Sequence, residues 1–374
     1  MGNKKKKIAF LYLDKTYSVY HTVGIAIELS LLPNTEVVAL CNQRSLPLLK
    51  SKLSESKNNV TIKLLRPYWY FQVPVYVEIK IQLRNILFKK YKSYLKSFDT
   101  IFSNIYSDLA FKKIVSDKSK MIFYDHGPAN RAYSFDDAIK KYDYVLLHSW
   151  WEYEKRKELN QITKDSFAVI GYPKLDVISN NQLSTFFQNK NKTILYNPHW
   201  DKNFSSFYKY GIEILRFFKN NTNLNLIFAP HSLIIERYPK ILWEIKEFKN
   251  CSNILIDLSS EKANDMSYTR YSDIYMGEFS SQVLEFSLLK RRPCIFINAT
   301  NIKQKDFPIS WSMGKVYDNF SANQLDSIVE ESETLFNNEY SNIQLSIMEQ
   351  TFSIPKNETS SFVAAKSIYE FLKG

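Results

Sequence analysis

Short runs of three to six apolar residues recur along this 374-residue chain, most of them closed by a polar loop and followed by a stretch with helical spacing. Runs that are apolar throughout, rather than alternating, read as strands buried on both faces. Strands of that kind separated by helices build parallel sheets covered by helices. The opening reads as the strand Ile8 to Leu13, a helix over Val23 to Leu32 and a second strand Glu36 to Leu40. Asp99 to Ser103, Met121 to Tyr124, Tyr144 to Leu147 and Phe167 to Ile170 continue the series.

A polar stretch of little periodicity, Ser179 to Lys192, interrupts it. A second series then begins with Thr193 to Tyr196 and runs through Asn225 to Phe228, Ile254 to Ile256, Ile274 to Met276 and Cys294 to Ile297. A chain of this length with 45% hydrophobic residues can bury two cores. The expected organisation is an N-terminal Rossmann-like domain over 1–180, a C-terminal one over 190–355, and a final helix over 356–374. Phe362, Ala365, Ile368, Tyr369 and Leu372 give that last helix one apolar side. In two-domain enzymes of this shape such a helix often crosses back. There is no 20- to 50-residue repeat and no heptad run.

Composition narrows the function classes. The net charge of +12 favours anionic partners without choosing among them. No RNP, KH or helix-turn-helix pattern is present, which argues against nucleic acid, although a polyanion-binding module is the reading from another class. With eight glycines there is no GxGxxG and no GxxxxGK[ST], so a dinucleotide fingerprint and a P-loop are both missing. Cys41, Cys251 and Cys294 are scattered, as expected in a reducing compartment without a disulfide framework or zinc site. The basic run Met1 to Lys7 leads into an apolar stretch too short for a signal-peptide core, and no run approaches a membrane span. The expectation is a cytoplasmic protein whose membrane contact, if any, is peripheral.

The window Ser272 to Ile297 is the most informative. A buried strand ends at Gly277, Ser280 or Ser281 caps a helix, and Pro293 precedes the next strand. A helix start with two hydroxyls, at the carboxyl edge of a parallel sheet, is a phosphate site, although serine caps many helices without binding anything. Four loops would open on the same kind of edge: Asp125-His-Gly-Pro128, Gly171-Tyr-Pro-Lys-Leu-Asp176, Tyr196-Asn-Pro-His-Trp200 and Phe228-Ala-Pro-His-Ser232. Three of the five histidines lie in them.

The ordered set of these motifs, closing with Ser280-Ser281 and Arg291-Arg-Pro293, resembles the CDP-glycerol glycerophosphotransferase family, the teichoic-acid and capsule primases and polymerases of bacterial envelopes. It spans roughly Asp125 to Asn298. The resemblance implies a GT-B-like α/β fold, two Rossmann-type parallel-sheet domains facing a central cleft, with the donor nucleotide on the C-terminal domain and the acceptor on the N-terminal one. It implies transfer of a glycerol-phosphate unit from a CDP-linked donor to a lipid-linked (polyprenyl-diphosphate) or polymer hydroxyl, with release of CMP. No tightly bound cofactor is implied, and a divalent metal is left open. His126 becomes the candidate catalytic base and His231 the contact to the donor diphosphate. Ser280 and Ser281 hold its phosphates, with His199, Lys174 and Glu285 further candidates on the donor side. Arg131 and His21 are candidates on the acceptor side, and His148 is read as a satisfied structural residue. Glu278 stands where relatives show Asp, and His199 where they show Thr. A glycosyltransferase using a CMP- or UDP-activated sugar on the same scaffold is the alternative.

From Lys80 to Phe98 six basic residues and no acidic one share a segment whose apolar positions Leu83, Ile86, Leu87, Tyr94 and Leu95 fall on one side. Beside the aromatic run Tyr68 to Phe71, this suits docking on an anionic membrane surface or, equally, a helix that covers the N-terminal sheet.

Overall fold

The computed structural model describes residues 5–13, 16–67, 83–113, 118–128, 135–178, 185–278 and 280–373. Arg131, Lys80 and the aromatic run 68–71 lie outside them. The chain forms two compact units, Met1–Asn180 with Gln350–Gly374, and Asn181–Glu349.

The first unit is a seven-stranded sheet, every paired strand parallel, in the order β3-β2-β1-β4-β5-β6-β7. Its strands are β1 (Lys6–Tyr12), β2 (Thr35–Cys41), β3 (Thr61–Leu64), β4 (Thr100–Ser103), β5 (Lys120–Tyr124), β6 (Tyr144–Leu147) and β7 (Phe167–Val169). Helices α1 (Ser18–Ser30), α2 (Ser45–Ser54), α3 (Leu83–Lys90), α4 (Trp150–Glu158) and α5 (Lys174–Ile178) complete it. The interiors of β1, β2, β4, β5 and β6 are buried, as their unbroken apolar runs require, while the edge strands β3 and β7 are only partly covered.

The basic segment resolves into α3 followed by a short turn, Lys92–Leu95. Leu87, Phe88, Leu95 and Phe98 are buried in the unit's core, while Lys89, Lys92 and Lys96 are exposed. An apolar side already packed on the sheet has no surface left for a bilayer, so within the described part of the segment only the charged side remains available. Among the described residues no helix is long and apolar enough to cross a membrane.

The second unit is a six-stranded parallel sheet in the order β10-β9-β8-β11-β12-β13. Its strands are β8 (Lys192–Asn197), β9 (Leu224–Phe228), β10 (Ile254–Ile256), β11 (Ile274–Gly277), β12 (Cys294–Ile297) and β13 (Lys315–Tyr317). Around it lie α6 (Ile212–Asn220), α7 (Ser267–Tyr271), α8 (Ser281–Leu289), α9 (Leu325–Leu335) and α10 (Ser341–Thr351).

The final helix, α11 (Ser360–Lys373), returns to the first unit and packs on α1 through Ser360, Ser361, Ala364, Ala365, Ile368 and Leu372. The GYPKLD loop fastens it. Tyr172 N–H donates to Ser360 Oγ at 3.0 Å, and the Asp176 carboxylate accepts the Ser361 N–H at 2.7 Å, an anion at the helix's positive end. Gly171 sits at φ +81°, and a Cβ there would lie 2.8 Å from Ser360 Oγ. Gly24 allows the helix crossing, since a Cβ there would lie 2.4 Å from Ser361 Oγ. At Gly171 the positive φ together with the Ser353 carbonyl 3.0 Å from a Cβ calls for glycine.

Arg292, of the Arg-Arg-Pro motif, is a structural clamp at the amino edge of the second sheet. Its guanidinium is buried 3.9 Å from the centroid of the Phe286 ring. It donates to the carbonyls of Lys290 (3.0 Å), Thr269 (2.7 Å), Phe286 (2.6 Å) and Ser272. These carbonyls belong to the C-terminal ends of α7 and α8, where a cation complements the helix dipoles. Burial pushes Arg292 down to about 10, which leaves it charged at neutral pH.

Two stability outcomes follow from these packings. Replacing Gly171 by Ala should cost about 1–3 kcal/mol, because an L side chain is strained at that φ and has no room, and urea unfolding will read the loss. Arg292→Leu should cost about 3 kcal/mol or more by the same measurement, since it strands several buried carbonyls without a donor.

Candidate active site

In a parallel sheet every strand delivers its following loop to the same edge, and the loops nearest the point where strand order reverses stand side by side. In the second unit that point lies between β8 and β11, where Gly277 pairs with Asn197. A Cβ on Gly277 would fall 2.8 Å from the Asn197 carbonyl oxygen, so only glycine permits this approach. The β8 loop carries His199 and Trp200, the β11 loop carries Glu278 and Ser280, and the neighbouring β9 loop carries His231.

The β8 and β9 loops are tied directly. His231 N–H donates to the Pro198 carbonyl at 3.1 Å, and the Asn197 side-chain amide donates to the Ala229 carbonyl at 2.6 Å. The rings of His199 and His231 have centroids 6.0 Å apart. Both use Nδ1 as an acceptor, His199 from the Asp201 N–H at 3.0 Å and His231 from the Leu233 N–H at 3.2 Å. A nitrogen that accepts from a backbone N–H carries no proton, so in the neutral ring the proton sits on Nε2 and makes it a donor.

Ser280 is the N-cap of α8, with extended backbone at φ −154°, ψ 154° and its Oγ accepting the Gln282 N–H at 3.1 Å. Ser281 is the first helical residue. The helix start thus stands at the same edge as the two imidazoles, with its positive dipole end toward that edge. Glu285 lies further along α8 and is buried within the unit.

Glu278 was visible in the sequence only as a departure from an Asp, and the structure gives it a larger part. It is 1% exposed; Oε2 accepts the His199 N–H at 2.7 Å and Oε1 accepts the Ser206 N–H at 2.6 Å. Burial pushes its carboxyl up to about 7, against the lowering effect of those hydrogen bonds. Its place directly after a buried strand at the switch point was the one available signal.

In the first unit the reversal lies between β1 and β4. His126 follows β5 and is partly exposed, with Nδ1 3.4 Å from the Asn104 carbonyl oxygen and 3.3 Å from Asp125 Oδ1. In the neutral ring, the two acceptors at Nδ1 place the proton there and leave Nε2 with its lone pair. This is the opposite tautomer from that of His199 and His231.

His21, on α1, joins His126: their ring centroids are 6.2 Å apart, with Tyr17 5.5 Å from His126 and Tyr172 5.8 Å from His21. His21 is buried, and its Nδ1 has no hydrogen-bond partner among the described residues. Burial, then the nearby Lys174 charge, holds it well below the usual histidine range, so it is neutral. Lys174 opens α5 and is itself 4% exposed, not a solvated surface cation as basic residues usually are. Its charge acts on His21, while Asp125 lies 3.3 Å from His126 Nδ1.

His148 joins the same cluster through Tyr172, whose ring centroid lies 6.0 Å from its own, and its Nε2 has no hydrogen-bond partner among the described residues, so it is not the satisfied residue expected. It is buried with Nδ1 3.1 Å from Glu152 Oε2, and Arg156 Nε meets Glu152 Oε1 at 2.8 Å. Despite burial, the hydrogen bond from His148 and the Arg156 charge hold Glu152 down at about 2. Arg131 lies outside the described residues.

Comparison with known proteins places the fold and the family. The family model described as CDP-Glycerol:Poly(glycerophosphate) glycerophosphotransferase matches residues 56–335. No curated protein matches the sequence. Among solved structures, a histidine-to-alanine variant of the wall teichoic acid polymerase TagF is similar at 14% identity and a TM-score of 0.64, over 99% of this chain and 90% of that one. The UDP-GlcNAc 2-epimerase from Neisseria meningitidis bound to UDP-GlcNAc is similar at 14% identity and a TM-score of 0.57, over 98% and 99%. The calicheamicin glycosyltransferase CalG4 is similar at 10% identity and a TM-score of 0.56, over 99% and 98%. These likenesses show a shared GT-B-like fold of two Rossmann-type units. A family model that takes in the His126 loop, both histidine loops of the second sheet and the serine-capped helix shows more, and the chain belongs to the CDP-glycerol:poly(glycerophosphate) glycerophosphotransferase family, a transferase of glycerophosphate from CDP-glycerol.

Proposed function

We propose that the second unit binds CDP-glycerol at the β8, β9 and β11 loops and that the first unit binds the acceptor hydroxyl beside His126. The opposite tautomers of the histidines carry this reading. His126 presents a basic Nε2, as a general base needs, whereas His199 and His231 present Nε2–H, as a phosphate or a leaving oxygen needs. A histidine-to-asparagine variant of TagF solved after a soak with CDPG supports the donor class.

The reaction then runs as one displacement at phosphorus. The acceptor oxygen forms a bond to the glycerol-bearing phosphorus as its proton passes to His126 Nε2. The bond from that phosphorus to the bridging oxygen breaks, and the electron pair leaves with CMP. His231 and His199 donate to the phosphoryl and leaving oxygens, and the α8 dipole with Ser280 and Ser281 steadies the diphosphate. Lys174, expected on the donor side, belongs to the first unit beside His21, and the two are assigned to the acceptor, a phosphate-bearing chain such as a lipid-linked or growing teichoic acid. Lys89, Lys92 and Lys96 offer charge to an anionic inner membrane face, each worth about 1 kcal/mol near the surface.

In a thermal-shift panel of CDP-glycerol, CDP-ribitol, CMP-sugars and UDP-sugars, CDP-glycerol should give the largest protection. Preference for a sugar nucleotide would favour the glycosyltransferase alternative, and protection by none would end the donor reading. His126→Ala should lower kcat by about 10²–10⁴-fold while keeping that protection. His231→Ala should weaken the protection itself. Sedimentation with vesicles containing phosphatidylglycerol should fall on raising the salt, and fall further in a Lys89→Glu, Lys92→Glu, Lys96→Glu variant.

A further inference from the structure

The loop from Pro198 to Ser205 carries His199 and Trp200, and its two ends are held by one side chain from another strand. Glu278 Oε2 receives the N–H at the start of the loop, on His199, and Oε1 receives the N–H just past its end, on Ser206. Ser206 also shares a hydrogen bond with the Tyr196 hydroxyl at 2.7 Å, which anchors that end to β8. Within the loop, His199 stacks on Trp200 with centroids 5.2 Å apart and meets Phe204 edge-on at 5.8 Å.

A buried carboxylate is costly unless it is paired, and among the described residues Glu278 forms no ion pair with a Lys, Arg or His. Its two oxygens are matched by two backbone N–H donors. A neutral amide of the same shape could accept only one of them and would turn an N–H toward the other. The chemistry at this position is therefore that of an acceptor at both ends.

We propose that Glu278 is a positioning residue for donor binding: it closes the His199–Ser206 loop and so sets the direction of the His199 ring toward the edge shared with His231 and the α8 N-terminus. The functional half of this inference rests on the reading of that edge as the CDP-glycerol site. The geometric half does not.

Hydrogen exchange on the ligand-free protein tests the geometry. In Glu278→Gln at least one of the two amides, His199 or Ser206, should lose protection by about tenfold or more, with the change confined to 198–206. Unchanged protection at both amides would overturn the proposal. With CDP-glycerol as substrate, KM should rise by about tenfold, whatever fall in kcat accompanies the displaced His199 donor. A fall in kcat with KM unchanged would also overturn it, since that is what a merely lower folded fraction produces. Should Glu278→Gln not fold, Glu278→Asp keeps the charge one methylene shorter, and loss of protection at one amide but not both is then the expected result, equal protection at both the refuting one. If the wild type binds no CDP-glycerol, the donor reading fails, and the exchange experiment still decides whether Glu278 sets the loop.

Discussion

Parallel pairing of strands buried on both faces is the constraint on which this protein depends. It sends every functional loop of a unit to one edge, and at the strand-order reversal it leaves two loops with no neighbour between them. In the second unit the pairing of Gly277 with Asn197 brings those loops so close that a Cβ is excluded. His199, Glu278 and the serine-capped start of α8 meet because of that register, and His231 is added from the strand on the other side. The glycine is thus a condition of the site as well as of the sheet.

Placed at those edges, residues of one chemical type acquire different tasks from what their backbone surroundings offer. His199 and His231 meet N–H groups at Nδ1, whereas His126 meets a carbonyl and a carboxylate. In its neutral form the same imidazole thus presents Nε2–H in one unit and a bare Nε2 in the other, the difference on which the proposed roles of donor and base rest. His148, buried against Glu152 and Arg156, is held by a local ion network and serves the fold.

Two buried charges make the division between stability and function concrete. Arg292 is surrounded by carbonyls at two helix C-termini, at the sheet edge away from the site, and its cation satisfies them all. Glu278 lies at the opposite edge, held by the backbone N–H groups of His199 and Ser206 and the Ser206 side chain with no cation among the described residues, and burial pushes its carboxyl up to about 7. The first arrangement suits a residue that holds the unit together. The second retains an ionisation that burial opposes, which is the pattern of a residue kept for what it positions.

The order of apolar runs and loop motifs was enough to indicate two parallel-sheet units, the helix start at Ser280 and the loops bearing His126, His199 and His231, because buried strands need unbroken apolar runs and caps need hydroxyls. Sequence could not say that the GYPKLD loop fastens α11, that Lys174 is buried beside His21, or that the apolar side of α3 is used by the core rather than by a membrane. Nor could it find Glu278 as the clasp of the β8 loop. Each of these is a contact between segments far apart in the chain, and periodicity reports only which side of an element is apolar. What covers that side, and which donors a buried carboxylate meets, is decided by tertiary packing.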